Sequence, residues 1–231
     1  MIFKILFLLI FFLPNIAFPQ NDLSEEDLEI VISHASNKLE LDEYNFQYLK
    51  IRGAAYQLQG NYKKAILDFR KALTVNKKDK EVYSFLGDSY AESGNYEASI
   101  LAYTSAIEID DKYLDSYLGR AYSYRYNGQY KESLVDLNKC LNICGETFKV
   151  VINLGATYLM LKDYSLADKY LIKADSININ NPYVYFYRSI LEMRKDNFIT
   201  MCIYYEKSKE YGLKEDFNLN GIRQSIEARC K

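Results

Sequence analysis

The chain has no tryptophan, three prolines, one histidine and four cysteines in 231 residues, and its formal net charge is only -2. Each scarcity removes a class of reading. The lone His34 has no cysteine or second histidine near it, so it is expected to be a solvated helix residue rather than a metal ligand. The sequence holds no Gly-rich phosphate loop, no nucleophile elbow and no histidine cluster, and its acidic residues are scattered. An enzyme is not expected, and no cofactor or metal is implied. Without a basic excess there is no electrostatic footprint for a phosphate backbone, so nucleic acid is not an expected partner.

Long hydrophobic runs are also missing, with one exception. Lys4 precedes an unbroken apolar stretch from Ile5 to Leu13, followed by Pro14 and the small Ala17. This reads as a secretory signal spanning 1–19, because a membrane-crossing helix needs about 20 apolar residues. The mature chain is then expected to be exported, periplasmic or secreted, with no transmembrane span left.

What the chain does have is tyrosine, 23 residues of it, at a fixed spacing. In steps of 34 residues, Gly53 becomes Gly87, Ala121, Gly155 and Ser189, and Tyr62 becomes Tyr96, Tyr130, Tyr164 and Phe198. Self-similarity at such a period marks a stacked repeat, each unit burying its apolar face against its neighbours. Each unit carries two helical patterns separated by a turn at Gly60, Gly94 or Gly128. Glycine stops a helix cheaply there because it adopts left-handed backbone without steric cost. The small residue of the first helix (Gly53, Gly87, Ala121, Gly155) admits the second helix closely. That second helix supplies a small residue (Ala65, Ser99, Ser133, Ala167) and, four positions on, a large one (Phe69, Tyr103, Leu137, Leu171).

These residues resemble the tetratricopeptide repeat (TPR). The second unit fits best, with Tyr83, Leu86, Gly87, Tyr90, Ser99, Tyr103 and Ala106 at the family's positions. The departures are Arg52, Arg120 and Arg188 for a leucine, Cys140 for an alanine, and Lys77, Asp111, Gly145 and Ile179 for the final proline. The segment from Met201 to Gly212 also resembles a Sel1-type helix ending. The resemblance implies an all-α, right-handed α-solenoid of stacked antiparallel helix pairs, a TPR superhelix. Five units are expected at 46–79, 80–113, 114–147, 148–181 and 182–213. An N-terminal capping helix is expected within 20–45, opened by a capping box from Ser24 to Asp27. A C-terminal capping helix is expected within 214–231.

The resemblance further implies that first helices line a concave groove that takes a protein or peptide segment. The groove residues expected by position are Phe85, Asp88, Leu118, Tyr122, Arg125, Tyr126, Asn153, Tyr183, Tyr187 and Arg194, with Lys50, Ala54 and Gln57 in the first unit. Tyr122, Tyr126 and Tyr187 are expected to be exposed. The alternative for several of these is packing between repeats. The carboxylate clamp of chaperone-binding relatives is absent: Lys50 matches it, but Ala54, Phe85, Asp115 and Gly119 stand at its other positions. An exported scaffold that holds a protein or peptide segment is therefore the expected function. A carrier of a small glycan or apolar ligand on the same aromatics is the alternative.

Four cysteines in an exported chain favour disulfides. Of three connectivities, Cys202 with Cys230 and Cys140 with Cys144 are expected, the first bridge pinning the closing helix. Cys140 could instead be a buried small residue in place of the family's alanine.

Overall fold

A computed structural model describes residues 23–213 and 221–230. The expected signal segment, 1–19, lies outside them. Twelve helices and no strand occur among the described residues. They are α1 (Glu25–Leu41), α2 (Phe46–Leu58), α3 (Tyr62–Val75), α4 (Lys80–Glu92), α5 (Tyr96–Ile109), α6 (Leu114–Tyr126), α7 (Tyr130–Cys144), α8 (Phe148–Met160), α9 (Tyr164–Ile177), α10 (Pro182–Arg194), α11 (Phe198–Glu210) and α12 (Ile222–Arg229). Two compact units divide inside α6, between Ser123 and Tyr124.

The helix starts follow from short polar caps. Ser24 accepts a hydrogen bond from the Asp27 amide at 3.1 Å, and the Ser24 amide donates to Asp27 Oδ2 at 2.9 Å, closing the expected capping box. Second helices are capped by Asn61, Asn95, Asp163 and Asn197, each one or two periods from the next, whose side-chain oxygens accept from the amide three residues on. Gln129 holds the same place in the third repeat and makes no such bond.

In the first unit α1 packs on α2, and the pairs α2/α3 and α4/α5 follow. The α1 face is Leu28, Val31, Ala35 and Leu39, all buried. Helix pairing rests on small against large. A Cβ built on Gly53 would fall 2.7 Å from the Phe69 ring, and one on Gly87 would fall 2.8 Å from Tyr103. Nothing larger than glycine fits there without the ring moving. Arg52, at the family's leucine position, lies beside the second helix and forms a fork with both Asp68 oxygens at 2.8 Å.

In the second unit the pairs α8/α9 and α10/α11 repeat the arrangement, Gly155 lying against Leu171. A buried polar contact also recurs: Ser99 meets Ser123 at 2.8 Å in the first unit, and Ser133 meets Thr157 at 3.3 Å in the second, one period later. Helix α12 folds back on α10 and α11 through Ile226, which is fully buried, and through Tyr205, whose hydroxyl is bonded to Glu227. The bridge between Cys202 and Cys230 joins α11 to the end of α12, with the two Cα atoms 5.4 Å apart.

The second expected bridge does not form, and Cys140 and Cys144 are free thiols. Helix α7 runs regularly through Cys144, so the two side chains rise in parallel from successive turns. Cys140 is fully buried, as a residue standing in for the family's alanine would be. Burial pushes its thiol up to about 12.

Candidate functional site

The expected groove residues fall into two sets, one in each unit. In the second unit the first helices of three successive repeats converge on one guanidinium. Arg125, near the end of α6, is 5% exposed. Its guanidinium carbon lies 4.8 Å from the Tyr126 ring centroid and 5.9 Å from that of Tyr187 on α10. Its Nη2 reaches Asn153 Oδ1 on α8 at 3.5 Å. Asn153 is oriented for this by donating its own Nδ2 to the Lys149 carbonyl at 2.8 Å. The guanidinium is thus engaged by its own neighbours, and the members of this set that keep exposed surface are the half-buried Tyr126 and Asn153.

Tyr187 corrects one expectation. It is 6% exposed and packs with Phe186, Ile190 and Tyr205, because α10 turns this side chain into the core of the last repeat. Tyr126 and Tyr183 are half-buried at the edge of the same cluster. Arg194 is exposed and stands apart from Arg125, lining a cavity at the turn beyond α10.

In the first unit Phe85 is buried against Phe69, ring centroids 5.8 Å apart, so it packs between repeats and does not face a groove. Lys50 is buried too, its ammonium 2.8 Å from Glu81 and 3.3 Å from Asp79. Ala54 and Gln57 are likewise buried. Leu118 and Tyr122 on α6 are half-buried.

Asp88, also half-buried, is the chemically unusual member of this set. Tyr103 Oη donates to its Oδ1 at 2.5 Å. Burial raises its carboxyl to about 6; the Tyr103 bond pulls the other way, while the nearby charges of Glu92 and Asp115 push it up further. Burial, reinforced by Asp88, holds the Tyr103 phenol well above its ordinary range, so it remains a donor. Sequence reasoning places Tyr103 as bulk alone. The missed signal is its hydroxyl, at a register position that is Phe69, Leu137 and Leu171 in three other repeats. Among the described residues no group of three His, Cys, Asp or Glu could hold a metal, and no helix is long and apolar enough to cross a membrane.

Comparison with known proteins places this geometry. A family model of the tetratricopeptide repeat matches residues 47–79, and a second model of that repeat matches 80–113 and 114–147. The matches end at residue 147, before the last two repeats, and leave the Sel1-like ending of the fifth a resemblance of sequence. No curated protein matches the chain. Among solved structures, a tetratricopeptide repeat protein from Parabacteroides merdae ATCC 43184 is similar with a TM-score of 0.73 and 17% identity, over 90% of this chain and 79% of that one. A thermophilic TPR protein of Thermus thermophilus is similar with a TM-score of 0.65 and 17% identity, over 80% of this chain and 98% of that one. YrrB, described as a TPR protein with an unusual peptide-binding site, has a TM-score of 0.62 and 19% identity, over 74% of this chain and 84% of that one. At these identities the likeness is one of fold. The matched repeats carry the family: the chain is a tetratricopeptide repeat protein, and repeats of this kind in general support protein interaction.

Proposed function

We propose that this protein is an exported scaffold that holds a protein or peptide segment on the first helices of its repeats, with Arg125 as an anchor in the second unit. The observation that carries this reading is the convergence of Tyr126, Asn153 and Tyr187 on Arg125 from three successive repeats. Tyr126 and Asn153 are half-buried and offer the contact surface, held in place by the buried Arg125 and Tyr187 beneath them; aromatic and arginine side chains are the types that dominate binding energy in protein interfaces. YrrB, a neighbour of the same fold, has a peptide-binding site by its description, which supports a peptide as the class of partner. Family likeness favours binding over catalysis. Export rests on the apolar run from Ile5 to Leu13 behind Lys4.

The test is capture of peptides from an array by the full chain and its variants. Arg125→Lys keeps the charge but loses the planar fork, and Tyr126→Ala removes one ring wall. Each should weaken the captured peptides by about tenfold or more. Val135→Ser, on an exposed second-helix position, should leave capture unchanged. Equal capture by Arg125→Lys and Tyr126→Ala, with circular dichroism unaltered, would move the site elsewhere. Export is checked by N-terminal sequencing of the protein recovered from cells, which should begin beyond the apolar run.

A further inference from the structure

The turn inside each helix pair places one residue in left-handed backbone, at Gly60, Gly94, Gly128, Lys162 and Asp196, with φ of 75°, 80°, 79°, 62° and 58°. The first three repeats use glycine, and the last two do not. A residue with a Cβ is strained there, and such strain persists where the side chain has a task. In the second unit both of these residues line one cavity of about 460 Å³.

The chemistry of that cavity is lopsided. Lys162, Arg194 and Arg229 supply three cations to its wall against one carboxylate, Asp196. None of the three cations forms an ion pair among the described residues. Arg229 lies over the Phe198 ring at 5.5 Å, and its Nη1 donates to the Ser225 carbonyl at 3.5 Å. Met193, Phe198 and Ile222 give the cavity an apolar floor. The corresponding notch beside Gly60 in the first unit has the same volume, yet only one cation, Lys63, among neutral side chains. The cationic character therefore belongs to this site and not to the repeat. Its third wall, α12, is fixed by the bridge from Cys202 to Cys230 and by buried Ile226.

We propose that this cavity binds a small amphiphilic carboxylate, separate from the peptide-binding surface around Arg125. The carboxylate would lie between Arg194 and Arg229 with Lys162 beside them, answering charges that have no ion-pair partner among the described residues. The apolar body would lie on Met193, Phe198 and Ile222. The volume is in the range of small-molecule pockets, which combine an apolar lining with a few polar groups.

The probe is decanoate, titrated into the full, unreduced chain by calorimetry below its micellar range. Saturable uptake of one decanoate per chain is expected, with butyrate and 1-decanol each at least about tenfold weaker because each lacks half of the recognised chemistry. Arg194→Glu should abolish binding, and Lys162→Ala and Arg229→Ala should each weaken it by about tenfold. Arg194 and Lys162 are exposed, so their variants test the site even if Arg229→Ala loosens α12. No saturable uptake of decanoate, 1-decanol binding as tightly as decanoate, or wild-type affinity in Arg194→Glu would each overturn the assignment.

Discussion

Replacing Asp88 by asparagine should stabilise the protein at neutral pH and lose most of that advantage in acid. The Asp88 carboxyl titrates at about 6 in the fold against 3.8 for the free group. The folded chain thus holds this proton more tightly than the unfolded one does. Below the unfolded value both states are protonated and Asp88 costs nothing. As pH rises from 3.8 towards 6 the unfolded chain ionises first, and the fold loses stability. Above both values the penalty is constant, and the rise from 3.8 to about 6 corresponds to up to about 3 kcal/mol. Near pH 4.5 the same two values leave about 1 kcal/mol. Asparagine has the same shape and keeps an oxygen that can accept from Tyr103 Oη, so the contact at 2.5 Å has no reason to break. Urea unfolding of wild type and Asp88→Asn at about pH 7.5 and about pH 4.5 measures the difference. A gain that does not change between the two pH values, or a loss at both, would refute the account of Asp88 as a desolvated carboxylate.

Two further outcomes follow from the backbone and the thiols. Lys162→Gly should raise stability against urea by about 0.5–1 kcal/mol, since relief of left-handed strain exceeds the entropy that glycine adds to the unfolded chain; an unchanged or lowered midpoint would deny the strain. Alkylation of the unreduced protein should find two thiols, with Cys144 labelled before Cys140, and the double change of Cys202 and Cys230 to serine should cost roughly 3–4 kcal/mol by opening a loop with a sequence separation of 28.

The fold was largely legible because the repeat states every packing rule several times. Gly53, Gly87 and Gly155 each face the large residue of the following helix, and the spacing alone paired them. The bridge from Cys202 to Cys230 was legible for a related reason, because a closing helix must return over the last repeat's second helix. Exposure was not legible. Tyr187 shares its register with Asn153, which is half-buried, yet Phe186 and Tyr205 enclose Tyr187 at the end of the array, where no further repeat sets the pattern. Position on an inner helix says which way a side chain starts. How far it is covered depends on the size of residues two helices away, and the period carries no information on those.

What distinguishes this chain from a generic array lies where one repeat departs chemically from the others. A register position filled alike in most repeats is answering a packing demand, so a chemically different residue at one copy is answering something else. Asp88 stands where the other repeats have Ala54, Tyr122, Ala156 and Ile190. Three of those four are buried and apolar, which is why a carboxylate there is desolvated and its proton is held up to about 6. Arg125 stands where the others have Gln57, Ala91, Leu159 and Met193. An arginine at 5% exposure in a position that accepts alanine and leucine is costly unless its charge is engaged, and it is the residue on which three successive first helices converge. Lys162 and Asp196 replace glycine at the turns and bear backbone strain for it. Each of these substitutions costs stability that the common residue at that position would not. That cost is the physical ground for proposing recognition at the set around Arg125 and at the cationic cavity, and for treating the well-fitting small and aromatic positions as scaffold.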